Sequence, residues 1–239
     1  MPVFRLTDAL IFPPPAYAEP DGLLAVGGDL SPERLLLAYR MGIFPWYSEE
    51  TPILWWSPNP RLVLFPDELK VSRSLQRLIK KGSFKVTTDC AFARVITQCA
   101  QVRTGRGEET WLTPEMIDAY TRLHELGYAH SVESWFDGEL EGGLYGVALG
   151  SAFFGESMFS RKTDASKVAL VAMVRRLTEY GFTLIDCQTS TRHLKSFGAR
   201  EISRSEFLAR LAQALSGAPG PGRWPCTEIE SRGPPIQGE

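Results

Sequence analysis

The chain has 239 residues, of which 44% are hydrophobic and 23% are charged, and its formal net charge is -2. This usage is that of a globular protein with one large domain or two small ones, and the slightly acidic balance excludes bulk, sequence-blind binding of nucleic acid. No apolar run reaches the roughly 20 residues of a membrane span, and the N-terminus does not read as a signal peptide, so a cytoplasmic protein without a membrane partner is expected.

The cysteines and histidines give no sign of a metal site. The three histidines form no ligand spacing with each other or with cysteine, so no metal site is expected. The four cysteines follow no framework spacing, and without an export signal they are expected to be reduced thiols: Cys90, Cys99, Cys187 and Cys226.

Residues 1–62 are rich in Pro, Gly and Trp, which predicts a small, irregular N-terminal domain. One helix is predicted there, with Ser31 as its cap, Pro32 in its first turn and Tyr39 on its apolar face. The tryptophans of this segment lie in Pro-rich loops, where they could stack on a base or grip an apolar side chain. The alternative is that they pin the segment to the rest of the protein, above all Trp55 and Trp56.

Residues 63–215 show the periodicity of a larger second domain, and residues 216–239 are predicted to be a disordered or loosely attached tail. Helices are predicted over 71–81, 89–102, 114–127, 164–180, 190–197 and from Ser203 onward, with strands at 84–88, in the β region that follows residue 128, and at 182–187. The order β-β-β-α-β-α over 129–215 predicts an α+β fold. It resembles the N-acetyltransferase-like fold, a mixed sheet flanked by helices.

The helix predicted over 71–81 carries the densest basic stretch of the chain. Arg73, Arg77, Lys80 and Lys81 share one face at helical spacing, and a row of cations of this kind can follow phosphates. The alternative, which is the commoner outcome for such runs, is a solvated helix face.

Glu156 stands in the strand segment GESMFSR among large apolar neighbours. A carboxylate in such a setting needs a partner. The alternative to a functional role is a rim residue that faces solvent or pairs with Arg161.

The strand LIDCQ ends in an acid and an amide. Alternation places Asp186 and Gln188 on one face at the carboxyl end of the strand, where they could accept a proton and orient an amine. The alternative is a strand-end pair that caps the helix beginning near Ser190. A nucleophile and base formed by Cys187 and His193 is not favoured, because no third residue is evident to orient them.

Several segments together resemble the leucyl/phenylalanyl-tRNA–protein transferase family. They follow the family's order through most of residues 12–200: GLLAVGGDLSPERLLLAYRMGIFPWY, ILWWSPNPR, TWLT, HSVESW, GGLYGVALG, GESMFSR, ASK and LIDCQ. The resemblance implies transfer of Leu or Phe, and more weakly Met, from aminoacyl-tRNA to proteins with N-terminal Arg or Lys, which marks them for the N-degron pathway. The 3′ end of Leu-tRNA or Phe-tRNA is the implied nucleic-acid partner, no cofactor is implied, and a monomer is expected.

The resemblance also implies roles for individual residues. It assigns catalysis to Asp186 and Gln188, and the basic acceptor residue to Glu156. The implied aminoacyl-adenosine site consists of Trp46, Trp111, Leu144, Phe153 and Ile185, with Leu144 at a position where the family has Met. The basic helix matches the family's tRNA-contacting region.

Two other functions fit this sequence less well. An acetyl-CoA-dependent N-acetyltransferase would need a Gly-rich pyrophosphate loop where the sequence reads SRKTDASK. A binding module with a dead site is disfavoured because Asp186, Gln188 and Glu156 are all present.

Overall fold

The computed structural model describes residues 3–104, 112–216 and 222–229. The N-terminal part contains a four-stranded sheet, with strand order β1-β2-β4-β3, beside one helix. Its elements are β1 (Phe4–Leu6), β2 (Leu23–Gly27), α1 (Pro32–Arg40), β3 (Phe44–Pro45) and β4 (Leu54–Trp56). The prediction of an irregular domain is therefore wrong in this respect, because short strands between prolines and glycines leave too little alternation to be read from sequence.

The second part is built on an eight-stranded mixed sheet with strand order β11-β5-β10-β9-β8-β7-β6-β12. Among the described residues, β9 and β10 are the parallel pair of this sheet, and its other neighbouring strands run antiparallel. The strands are β5 (Arg61–Leu64), β6 (Lys85–Thr88), β7 (Ala129–Phe136), β8 (Glu139–Leu149), β9 (Ala152–Ser160), β10 (Leu184–Gln188), β11 (Arg200–Ile202) and β12 (Thr227–Glu228). The sheet thus begins at Arg61, two residues before the predicted domain boundary.

Six helices flank this sheet in the described residues: α2 (Arg73–Lys81), α3 (Phe92–Thr104), α4 (Pro114–Glu125), α5 (Ala165–Glu179), α6 (Arg192–Lys195) and α7 (Arg204–Ser216). The α+β class with a mixed, helix-flanked sheet is confirmed. The predicted caps are also present, because Ser31, Thr113 and Ser203 each accept a hydrogen bond from the backbone N–H three residues on. No helix in the described ranges is both long and apolar enough to cross a membrane.

The apolar core forms two clusters, and neighbouring residues of the central strands alternate between them. Phe154 belongs to the cluster that includes residues of α1, α3, α4 and α7, whereas Phe153 belongs to the cluster that includes residues of α2 and α5. This alternation is the period of two expected of strands covered on both sides. It places Phe153 and its neighbours on the side where α5 covers the sheet.

Residues 222–229 correct two predictions about the chain's end. Trp224 is 4% exposed and stacks on His130 with ring centroids 4.2 Å apart, and β12 pairs with β6. Cys90, just after β6, forms a disulfide bond with Cys226, just before β12. The predictions of a loose tail here and of four reduced thiols are therefore wrong, because a pairing across 136 residues leaves no local spacing signal.

Candidate active site

A cavity of about 320 Å³ opens beside the carboxyl end of β10. Its walls come from the N-terminal sheet, from β8, β9 and β10, and from α5 and α6. The lining residues include Trp46, Leu144, Phe153, Glu156, Leu170, Met173, Ile185, Gln188 and His193. The cavity therefore brings together groups that lie more than 140 residues apart in the chain.

One wall of the cavity is apolar. Leu144, Phe153 and Ile185, all predicted from the sequence, lie on it together, and they are buried. Leu170 and Met173 of α5 complete it. Sequence reasoning missed these two because α5 is apolar over most of its length, so its cavity side has no distinguishing pattern.

Trp46 joins the cavity from the N-terminal sheet. It is 46% exposed, and its carbonyl oxygen accepts a hydrogen bond of 2.7 Å from the indole of Trp56. Trp55, in contrast, is fully buried and donates to the Gly27 carbonyl, so the packing alternative holds for Trp55. Trp111, predicted at the same aminoacyl-adenosine end, lies outside the described residues.

Glu156 is held by three neutral donors. Its Oε1 accepts hydrogen bonds from the Tyr39 hydroxyl and the Gln188 amide, both at 2.8 Å, and its Oε2 accepts one of 2.9 Å from the Tyr120 hydroxyl. The side chain is 9% exposed, and burial raises its pKa to about 7. The alternative in which Glu156 pairs with Arg161 or faces solvent is therefore wrong.

Asp186 lies behind Gln188 and outside the described lining of the cavity. Its carboxylate is fully buried and forms a two-fold ion pair with Arg61, with distances of 2.8 Å to Nε and 2.6 Å to Nη2. The Arg61 guanidinium lies between the rings of Phe44 and Phe207, at 4.7 and 4.6 Å from their centroids. Arg61 thus ties the N-terminal sheet and α7 to the strand that carries Asp186.

Gln188 departs from the alternation expected of a strand. Its φ of 61° is left-handed, and the pairing of β10 with β5 shifts register between Asp186 and Gln188. The Gln188 backbone N–H donates to Asp186 Oδ1 at 2.9 Å, while its side chain reaches Glu156. The turn interrupts the regular alternation from which the shared face of the two residues was predicted, and the two residues remain in direct contact through it.

Cys187 and His193 also line the cavity. Cys187 lines the cavity, and burial raises the pKa of its thiol, which disfavours the reactive thiolate. Burial lowers the pKa of His193, which also lines the cavity, and the positive charge of Lys167 lowers it further. The raised pKa of the Cys187 thiol agrees with the expectation that Cys187 and His193 do not form a nucleophile and base.

The predicted basic face lies elsewhere on the surface. Arg73, Arg77, Lys80 and Lys81 are all exposed on α2, and none of them belongs to the described lining of the cavity. No ion pair joins them to a carboxylate in the part of the chain that the structure describes. They therefore stand free to meet a polyanion.

Three residues of the site were not found from the sequence: Tyr39, Arg61 and Tyr120. Tyr39 and Tyr120 occupy helix faces that read as core, because a phenol ring satisfies an apolar pattern and the pattern says nothing of its hydroxyl. The only signal for Arg61 is a cation at the head of a buried strand, RLVL, where a charge requires a partner.

Comparisons with known proteins now identify the chain. Family models described as leucyl/phenylalanyl-tRNA protein transferase and as its N-terminal domain match residues 63–212 and 28–59. A leucyl/phenylalanyl-tRNA–protein transferase of Syntrophobacter fumaroxidans is 70% identical over 90% of this chain and 92% of its own. One of Anaeromyxobacter dehalogenans is 58% identical over 98% of this chain and 100% of its own.

The fold is α+β, and these similarities make the protein an enzyme of the aminoacyltransferase class. Among solved structures, an aminoglycoside N-acetyltransferase in complex with CoA is similar at 12% identity and a TM-score of 0.33, over 58% of this chain and 90% of that one. A score this low supports no argument about the site. The family models and the sequence relatives show that the chain belongs to the leucyl/phenylalanyl-tRNA–protein transferase family.

Proposed function

We propose that the enzyme moves Leu or Phe, and Met more weakly, from aminoacyl-tRNA to the α-amino group of proteins that begin with Arg or Lys, and so marks them for N-degron degradation. One observation supports this proposal above the others. An apolar wall and a buried carboxylate with an amide face the same cavity, so a donor side chain and a cationic acceptor can meet there.

The apolar wall accounts for the donor. Leu144, Phe153 and Ile185, together with Leu170 and Met173, offer a side chain no hydrogen-bonding partner. Burial of an apolar side chain against them is favourable, whereas a polar donor side chain would lose its hydration without compensation. Leu, Phe and Met are the donors that such a wall favours.

Glu156 and Gln188 account for the acceptor. A carboxyl group held in place by three donors is positioned to receive a guanidinium at two points or an ammonium at one. Apolar or acidic first residues would leave it unpaired or repel it.

The reaction needs alignment more than activation. The nitrogen of the acceptor's α-amino group attacks the carbonyl carbon of the aminoacyl ester, and a new N–C bond forms. The bond between that carbon and the ribose oxygen breaks, and the proton that the amine loses is transferred to the ribose oxygen. Orientation of amine and ester supplies up to about 7–11 kcal/mol of the barrier in favourable cases. Gln188, which lines the cavity, is the group we assign to hold the amine.

Asp186 acts through Gln188 in this proposal. Both of its oxygens are engaged by Arg61, and Oδ1 also accepts the Gln188 backbone N–H, so a substrate proton has no direct access to it. The hydrogen bond that Asp186 Oδ1 accepts from the Gln188 backbone N–H holds the left-handed turn that aims the Gln188 side chain. Asp186 is thus a positioning residue, and Gln188 is the one expected to touch substrate.

The nucleic acid is assigned to two surfaces. Trp46, exposed at the cavity, and Trp111 are proposed to hold the terminal aminoacyl-adenosine. The free cations of α2 are proposed to contact tRNA phosphates, which supplies the local basic patch that an overall charge of -2 requires.

A transfer assay tests the proposal. The enzyme is incubated with labelled Phe-tRNA or labelled acetyl-CoA and with peptides that differ only in their first residue: Arg, Lys, Leu or Asp. We expect label from Phe-tRNA alone, on the Arg and Lys peptides alone. Label from acetyl-CoA, or equal labelling of all four peptides, would contradict it.

Glu156→Gln separates the acceptor site from the donor site. The substitution should lower transfer to Arg and Lys peptides much more than it lowers affinity for Phe-tRNA. A loss of tRNA affinity with unchanged acceptor preference would assign Glu156 to the donor side.

A further inference from the structure

Glu156 closes a ring of hydrogen bonds with two tyrosines. Tyr39 contacts Oε1 and Tyr120 contacts Oε2, at 2.8 and 2.9 Å, and the two phenol oxygens also form a hydrogen bond with each other. The ring therefore contains three oxygen–oxygen contacts. Each contact is a hydrogen bond only if one proton lies between its two oxygens.

Counting protons decides which form of Glu156 fits this ring. With an ionised carboxylate, the two phenols supply two protons for three contacts. One of the three contacts then has no proton between its two oxygens and is not a hydrogen bond. With a protonated carboxyl group there are three protons for three contacts. The Gln188 amide donates to Oε1 from outside the ring and does not change the count.

The charges around the ring lead to the same result. Asp186 is already matched by Arg61, and among the described residues no cation forms an ion pair with Glu156. The other groups that face it are neutral: Tyr39 from α1, Tyr120 from α4 and Gln188 from β10, with Tyr145 of β8 close to Tyr39. An ionised Glu156 would add an unmatched charge to a buried cluster of neutral groups.

The pKa values agree with this geometry. Burial raises the pKa of Glu156 to about 7, and the charge of Asp186 also raises it. Burial raises the pKa of Tyr39 and of Tyr120 well above 10, and the charge of Glu156 is the second-largest cause of the increase. The phenols therefore keep their protons at neutral pH, and Glu156 is the member of the ring that titrates.

We propose that Glu156 is protonated in the free enzyme and releases that proton when the cationic side chain of the acceptor docks. The inference rests on the proposed role of Glu156 in acceptor binding and extends it. The O–H bond of the carboxyl group breaks, the proton passes to solvent, and the carboxylate pairs with the guanidinium or ammonium. Tyr39 and Tyr120 are positioning residues that hold the neutral carboxyl group until a cation replaces its proton.

This coupling makes the binding of cationic acceptors depend on pH. A first residue without a positive charge gives no compensation for deprotonation, so the ring stays closed and the carboxyl group stays neutral. The affinity for a cationic first residue should therefore change with pH around the pKa of Glu156, whereas the affinity for an uncharged first residue should not.

Infrared difference spectroscopy of the full-length enzyme tests the proposal at about pH 6. No donor is present, so no transfer occurs. Addition of a peptide that begins with Arg should remove one protonated-carboxyl C=O absorption, and the same peptide with Leu in first place should not. The side chain of Arg does not titrate in this range, so it contributes no proton of its own.

Two variants assign the signal. Glu156→Gln keeps a donor and an acceptor in the ring and should abolish the change. Glu133→Gln is the matched control, because Glu133 is also a fully buried carboxyl group held by hydroxyls, with a pKa raised by burial, but it lies outside the described lining of the cavity. It should leave the signal of the parent enzyme intact.

Affinity supplies a second readout. Because binding releases a proton, the Kd for the Arg peptide should rise about tenfold for each pH unit below about 7 and level off above it. An α-amino group that must be neutral to bind would instead place the break at about 7.7–8.0.

The outcomes can be told apart. If the Arg peptide binds tightly but the absorption is not lost, or if the Kd is constant below pH 7, the proposal of proton release is wrong. The proposal that Glu156 binds the acceptor is unaffected by either result. Equal binding of the Arg and Leu peptides overturns the acceptor site, and the proton release with it.

Discussion

The ion pair between Arg61 and Asp186 allows stability and catalysis to be separated. Arg61→Met removes the guanidinium but fills much of the same space between Phe44 and Phe207. Asp186 then remains fully buried without a cation, because Arg61 is the residue that forms its ion pair. We expect the free energy of unfolding to fall and the rate of transfer to fall with it.

The magnitude follows from burial. Breaking a buried pair by removing one partner costs about 3–5 kcal/mol, since the remaining charge is left without compensation. The two ring contacts of the guanidinium add roughly 0.5–2 kcal/mol each when desolvated. A loss of at least about 4 kcal/mol is therefore expected, and Arg61→Lys should lose less because it keeps the charge while giving up one hydrogen bond and the planar stacking.

The double variant Arg61→Met/Asp186→Leu supplies the decisive comparison. With both charges gone, most of the lost stability should return, because replacing a buried pair by apolar groups is often close to neutral. Transfer at saturating tRNA and peptide should stay low, because the Gln188 backbone N–H has lost the Asp186 oxygen that fixes its turn. Urea denaturation measures the first effect, and single-turnover kinetics measure the second.

Two results would refute this reasoning. A cost below about 1 kcal/mol for Arg61→Met would mean that Asp186 finds water or another donor when the guanidinium is absent. Recovery of the transfer rate in the double variant would show that Asp186 has no part in positioning Gln188.

Three further predictions concern the helix, the donor wall and pH. Lys80→Gln on α2 should reduce the slope of log affinity for tRNA against log salt by roughly 0.7–0.9 if the side chain contacts one phosphate, and parallel lines for variant and parent would favour the solvated-face alternative. Leu144→Met should change the ranking of Leu, Phe and Met donors by less than about 1–3 kcal/mol, and an equal change for polar donors would contradict a role in the donor wall. Because the pKa of Glu156 is raised from 4.5 to about 7, folding takes up a proton between these values, and the stability contributed by this group declines as pH rises through that window. The difference amounts to about 3 kcal/mol, so Glu156→Gln should flatten the dependence of unfolding free energy on pH between about 4.5 and 7, and an unchanged slope in that range would show that Glu156 is not the group responsible.

The sequence predicted the longer elements and their caps because their signals are local. Ser31, Thr113 and Ser203 mark helix starts through a hydrogen bond three residues away, and the α+β class follows from the order of elements. Three residues of the apolar wall, Leu144, Phe153 and Ile185, followed from the family resemblance, and they meet in one cavity.

Contacts between segments that are distant in the chain could not be predicted from the sequence. Tyr39, Arg61 and Tyr120 reach Glu156 or Asp186 across 36 to 125 positions, and no periodicity encodes such a pairing. The turn at Gln188 was missed for a different reason, because a left-handed residue at a strand end has no signature when it is neither Gly nor Asn.

The bond between Cys90 and Cys226 turns most of the second part of the chain into a covalent ring that contains Tyr120, Glu156, Asp186 and Gln188. Tyr39 and Arg61 lie outside that ring, so the site is assembled from a closed loop and a linear segment. A single proteolytic cut between the two cysteines leaves both products tied together until the disulfide is reduced. A cut between Arg61 and Cys90 instead separates Tyr39 and Arg61 from the closed loop. A nick therefore leaves the site covalently connected in one region of the chain and divides it in the other.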